Sequence, residues 1–359
     1  MAYTLNEKLA AFPPYTPSDE DPKLIHMDAN ECAMNLPADL VDRASKEVLG
    51  VQFHRYPDAY AKDLREAFAA FYGLSADCVT AGNGSDELIG LFISAFLMKG
   101  ETFLTTEPDF SMYTFYPHLS EVPVVLVEKG EDLTLSAGSL IEQAKASNAR
   151  LVLFSNPCNP TSVGLPRKDV LRIVEALPDT LVVVDEAYMD FWEEDQSVLG
   201  EVGAYDNLAV LKTCSKMGLA ALRLGFAVTN PRLTQVLQTV KSVYNINTLT
   251  QRIATLVLRE ESALRNQIAK TIASRRALSV AVAAREKTFP GLLKLYPSCT
   301  NFLTLRMPDP KGFAGFLLSR GISVRYFPQL VRVTAGTTKE NDAFMTALDL
   351  YLEGESSHA

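Results

Sequence analysis

The chain has 359 residues, 47% of them apolar and 21% charged; at roughly 150 residues per domain this suggests two packed domains and excludes disorder. A formal net charge of −9 argues against a nucleic-acid partner, since backbone readers need clustered Lys and Arg. No run approaches the ~18 apolar residues of a membrane span, Glu7 and Lys8 stand where an export signal would be apolar, and five cysteines without a CxxC fit a reducing cytoplasm.

In chain order, short branched apolar runs alternate with helical stretches. Strands are expected at Cys78–Ala81, Phe103–Thr105, Val122–Val127, Leu151–Ser155, Leu181–Asp185, Leu208–Lys212 and Leu224–Thr229. Runs such as LVLFS and LVVVD are apolar on both faces, as strands covered by helices on both sides must be. Helical patterns fill Glu87–Leu97, Leu140–Ala146 and Arg167–Leu177. The alternation predicts an α/β fold, with a large domain built on a mainly parallel seven-stranded sheet. From Pro231 to about Lys287 the pattern is helical. Short strands near Leu292–Tyr296, Phe302–Leu305, Ile322–Arg325 and Val331–Thr334, then a helix at Asn341–Leu352, predict a smaller α+β domain, with Glu353–Ala359 a frayed tail.

Several expected strand ends carry chemistry. In Thr213-Cys214-Ser215-Lys216 a lysine follows a strand, where it can reach a bound ligand and where partial burial would lower its pKa. Alone, Ser-Lys in a polar loop is also the pattern of a surface lysine. LVVVD delivers Asp185 to a strand end with Tyr188 three residues on. A buried carboxylate asks for a cation, although Asp185 could equally cap a helix. The loop Ser155-Asn156-Pro157-Cys158-Asn159-Pro160-Thr161 holds Asn159 rigidly between prolines, or is an ordinary tight loop. Gly82-Asn83-Gly84-Ser85-Asp86-Glu87 precedes a helix whose free N–H groups suit an anion, or simply forms a capped turn. Phe110 lies in an aromatic cluster after a strand, where core packing is its ordinary use. Arg223 follows Lys216 by seven residues, and Arg332 stands between valines in a late strand. Four scattered histidines give no zinc motif, so no metal is expected.

Taken together, DANE at 28–31, RYPD at 55–58, GNGSDE at 82–87, NPCNPT at 156–161, DEAY at 185–188, SK at 215–216 and RVTAGT at 332–337 resemble the fold-type I aminotransferases that use pyridoxal 5′-phosphate (PLP). The resemblance is greatest to their histidinol-phosphate aminotransferase branch and runs from Pro14 to Thr337. It implies Lys216 as the lysine that forms an imine with PLP, Asp185 as partner of the pyridinium nitrogen, and Asn159 and Tyr188 on the ring's phenolic oxygen. Phe110 falls where the family has a stacking Tyr. The phosphate would lie on the backbone of Ser85 and Asp86, with Thr213, Ser215, Arg223 and, from a neighbouring subunit, Tyr56. Arg332 would take the substrate carboxylate, with Tyr15 and Asn30 nearby. The chain departs from the family in a loop one residue shorter between Lys216 and Arg223, in Ser162 for a glycine after NPCNPT, and in a short stretch from Arg325 to Arg332.

The resemblance implies a cytoplasmic homodimer with shared active sites that moves an amino group between an amino acid or histidinol phosphate and a 2-oxo acid, 2-oxoglutarate being the expected acceptor. A PLP-dependent lyase such as threonine-phosphate decarboxylase is the alternative; release of carbon dioxide would mark it. A phosphate-binding module without catalysis would not need Lys216, and no GxSxG elbow supports a hydrolase. The expected division is an N-terminal arm (1–35) joining the small domain, a large PLP-binding domain (36–250) and a small C-terminal domain (251–359).

Overall fold

The computed structural model describes residues 3–10 and 21–356; the candidate Tyr15 lies outside the described residues. After a short strand β1 (Ile25–Met27), the chain lays down β2 (Val79–Gly82), β3 (Thr102–Glu107), β4 (Val124–Glu128), β5 (Ala149–Ser155), β6 (Leu181–Asp185), β7 (Leu208–Thr213) and β8 (Gly225–Thr229). Strands β2 to β8 form one seven-stranded sheet in the order β2-β8-β7-β6-β5-β3-β4. β3 to β7 run parallel, and β8 is antiparallel to both of its neighbours. Successive side chains of a strand enter opposite faces: Val152, Phe154, Val182 and Val184 join one core, Leu151, Leu153 and Val183 the other. That is why these runs are apolar throughout.

The second sheet holds β9 (Lys294–Leu295), β10 (Phe302–Arg306), β11 (Ile322–Tyr326) and β12 (Leu330–Thr334), with β1 at its edge, in the order β1-β11-β12-β10-β9. β1, which is too short to show a period, pairs in parallel with β11 and buries Met27 in this sheet's own core. The strand expected at Leu292–Tyr296 shrinks to two residues.

The helical stretch after Pro231 is three helices, Pro231–Val240, Thr248–Arg259 and Glu261–Thr288. The division expected at residue 250 does not coincide with the change of core. Ala254, Val257, Leu258, Leu264 and Ile268 still pack on the large sheet, whereas Leu278, Ala281 and Val282 reach the small one. The long helix therefore serves both. The tail expected to fray from Glu353 is instead helical to Ser356, because Thr338–Ser356 is one continuous helix anchored by Phe344, Leu348 and Leu352. Helices at Ala38–Leu49, Lys62–Tyr72 and Met112–Leu119 lie outside the patterns singled out in the sequence.

Candidate active site

The carboxyl ends of the parallel strands are the ligand edge of such a sheet, and the candidate residues gather there. Asp185 ends β6 opposite Ser155 of β5. Its carboxylate is buried and accepts hydrogen bonds from Tyr113 Oη at 2.8 Å and Ala187 N at 3.0 Å. Burial pushes its pKa up to about 6, against the pull of those two donors. Tyr113 was not singled out in the sequence. It stands three residues beyond Phe110 in the same aromatic cluster, where core packing is the default expectation, and the two rings meet edge to face at 5.6 Å.

Lys216 follows β7 and is half-buried, its Nζ donating to Ala29 O at 3.0 Å. Desolvation, reinforced by the positive charge of Arg332, lowers its pKa to about 8. A surface lysine would keep its charge far above that.

Asn159 Oδ1 accepts from Arg332 Nη1 at 2.5 Å, while Arg332 Nη2 donates to Asp28 O. The guanidinium is buried and fixed between the two sheets. Tyr188 Oη accepts from Asn30 Nδ2 at 2.9 Å, and burial pushes the phenol up to about 12. Asn30 has a left-handed backbone (φ 55°) that Asn tolerates better than most residues, and its N–H is held by Thr334 Oγ1 at 3.0 Å.

A third group lies at the start of the helix Gly84–Phe96. Arg223 Nη2 pairs with Asp86 Oδ2 at 3.2 Å and Nη1 reaches Ser215 Oγ at 3.4 Å; Ser215 N donates to Thr213 Oγ1 at 3.2 Å. The shortened loop closes because Arg223 itself adopts φ 48°, bringing its side chain back over the helix start. At Gly225 a Cβ would stand 2.4 Å from Ser85 N, so only glycine lets β8 pass this close. Free N–H groups, a positive helix end and a guanidinium form an anion cradle.

Tyr56 is placed apart from these groups: it is 80% exposed and stacks on Tyr244 at 4.6 Å. Among the described residues no cluster of His, Cys, Asp or Glu suits a metal ion, and no helix is long and apolar enough to cross a membrane.

An α/β sheet with an amine, a buried carboxylate and an anion cradle at one edge defines a class that comparison makes specific. Residues 22–348 match the model of the aminotransferase class I and II family, and the chain belongs to that family. It is 34% identical over 353 residues to the histidinol-phosphate aminotransferase of Clostridium kluyveri, covering 97% of this chain and 98% of the relative. It is 35% identical over 351 residues to that of Thermococcus kodakarensis, covering 96% and 97%. The chain is thus a histidinol-phosphate aminotransferase-like transferase. Among solved structures, the fold is shared with histidinol-phosphate aminotransferase from Sinorhizobium meliloti in complex with pyridoxal-5′-phosphate (TM-score 0.87, 22% identity, 98% and 99% covered). It is also shared with L-threonine-O-3-phosphate decarboxylase from Porphyromonas gingivalis (TM-score 0.79, 22% identity, 92% and 100% covered).

Proposed function

We propose that this protein binds PLP and moves an amino group between histidinol phosphate, or a related amino acid, and a 2-oxo acid, with 2-oxoglutarate the acceptor. The observation that carries this reading is the buried Asp185 carboxylate, which has hydrogen-bond donors but no ion-pair partner among the described residues, at the same sheet edge as the readily deprotonated Lys216. A cationic ring nitrogen supplies the charge that Asp185 lacks. The cradle of Ser85, Asp86, Thr213, Ser215 and Arg223 suits a phosphate, so the residues fit the cofactor at both ends.

Asn159 and Tyr188 would hold the ring's phenolic oxygen, Phe110 would cover the ring, and Lys216 would carry the cofactor. PLP bound there supplies an electron sink for charge developing at the substrate Cα. Asp185, ionised, would keep a proton on the ring nitrogen. Lys216, half of it neutral near pH 8, would take the proton from Cα of the amino donor in one half-reaction and give one to Cα of the acceptor in the other. Arg332, already oriented by Asn159 and Asp28, presents two N–H groups to the α-carboxylate. Asn30 braces Tyr188 from the small sheet.

Half-reactions test this directly. Holoenzyme mixed with histidinol phosphate is expected to lose its yellow colour and to regain it on addition of 2-oxoglutarate. Carbon dioxide release from threonine phosphate, without amino transfer, would overturn the reading in favour of the lyase.

The same reading includes a cytoplasmic homodimer in which Tyr56 serves the partner's phosphate site. Five free cysteines suit a reducing compartment. Tyr56, Phe53, Tyr60 and Val243, all more than half exposed, suit a subunit contact better than water. Tyr56→Ala and Lys216→Ala chains, each inactive alone, are expected to recover about a quarter of wild-type activity when mixed 1:1. Half of the dimers are then mixed, and each rebuilds one intact site. Absence of rescue despite subunit exchange would place both residues in one chain's site.

A further inference from the structure

Behind the site lies a buried ion pair that the functional reading leaves unused. Asp109 follows β3 and Lys129 follows β4; both side chains are 2% exposed, with Nζ 3.3 Å from Oδ2. Lys129 Nζ also donates to Thr106 Oγ1 at 2.7 Å and to Pro108 O at 2.8 Å. Burial works against the ammonium, but Asp109 and Cys158 together outweigh it and leave the Lys129 pKa raised. Asp109 accepts in addition from Thr106 Oγ1 at 2.5 Å, from Phe110 N at 2.8 Å and from Ser155 Oγ. Ser155 Oγ in turn accepts from Asn159 N at 3.2 Å.

A buried pair of this kind is a poor device for stability alone, because apolar side chains of the same volume serve as well or better. What an apolar pair could not do is hold two loops by their polar groups. One loop carries Phe110 and the other Asn159, the residues assigned to the face and the oxygen of the cofactor ring. The pair is bonded to the backbone of the first; to the second it is bonded by Ser155 N at 3.4 Å and, through the Ser155 hydroxyl, to Asn159 N.

We propose that Asp109 and Lys129 are positioning residues for the cofactor ring, acting through Phe110 N and through the Ser155 hydroxyl on Asn159. The proposal rests on the cofactor assignment of Phe110 and Asn159. Removing the relay is expected to loosen the ring's seat while leaving the phosphate cradle untouched.

The test uses two variants and two readouts, the PLP dissociation constant of the apoprotein and the absorption spectrum of the bound cofactor. Ser155→Ala cuts the relay and leaves the ion pair. Asp109→Asn/Lys129→Met removes both charges together, which avoids an uncompensated buried ion. Each is expected to weaken PLP binding about tenfold and to shift the absorption maximum. The apoprotein's thermal midpoint should stay within a few degrees of wild type, a pattern that a purely structural role would not give. Wild-type PLP affinity and spectrum in Ser155→Ala would overturn the proposal even if the double variant fails to fold. Phe110→Ala and Asn159→Ala separate the two levels: if neither weakens PLP binding, the cofactor assignment itself fails and the positioning role falls with it.

Discussion

Lys216→Ala is expected to lower turnover by at least about 10⁴-fold, since it removes both the covalent attachment point and the group that moves the Cα proton; proton transfer alone contributes roughly 10²–10⁴-fold. The loss should be chemical and not structural. The folded state disfavours the Lys216 charge, its pKa falling from 10.5 to about 8, mainly through desolvation. A depressed lysine pKa adds stability above pH 10.5 that is lost as the pH falls through 8. At pH 7 the wild-type apoprotein therefore bears the cost of a poorly solvated ammonium, and the alanine apoprotein does not. Its thermal midpoint at pH 7 is expected to match or exceed that of the wild type. Borohydride treatment of the wild-type holoenzyme, followed by peptide mass mapping, should place the cofactor on Lys216. Label on another lysine, or substantial turnover by Lys216→Ala, would remove Lys216 from the chemistry.

Asp185→Asn is expected to reduce turnover on the order of 10²–10³-fold, the range for loss of one preorganised electrostatic group. A neutral amide cannot keep a proton on the ring nitrogen, so charge developing at Cα finds a weaker sink. The variant also has a signature without cofactor. The Asp185 pKa is raised from 3.8 to about 6, with burial the largest cause. A raised carboxylate pKa gives stability that is present below pH 3.8 and lost as the pH rises through 6. Above that the wild-type apoprotein holds an ionised carboxylate with no cation, at a cost of about 3 kcal/mol for a shift of about two units. Asparagine removes the charge and keeps an acceptor for Tyr113. At pH 8 the Asp185→Asn apoprotein is therefore expected to melt above the wild-type apoprotein, and the difference should vanish near pH 4. A variant with near-normal turnover would reduce Asp185 to a turn-capping residue.

Much of this site was legible in the sequence because its signals are local. LVVVD states both the strand and the acid at its end: an apolar run needs two covered faces, and the first polar residue marks where the sheet meets the ligand edge. The same logic places Asn159, Lys216 and the glycine-rich start of the helix Gly84–Phe96. The class of protein followed from the order of these segments along the chain.

Tertiary structure alone decided the partners. Tyr113 meets Asp185 across 72 residues, Asn30 meets Tyr188 across 158, and Arg332 meets Asn159 across 173. Tyr113 is unremarkable where it stands in sequence, and the other five, although singled out there, do not name their partners. The helix Ala38–Leu49 is amphipathic but buries only Leu40 completely, so its pattern alone does not say what covers it. The helix Glu261–Thr288 divides its buried residues between two cores and shows no single face. Lys129 stands in the charged run Glu128-Lys129-Gly130-Glu131-Asp132 and reads as a surface charge, until β3 brings Asp109 beside it. Spacing along a chain reports the period of one element, whereas a buried polar contact depends on which elements share a face, and only packing of the whole chain sets that.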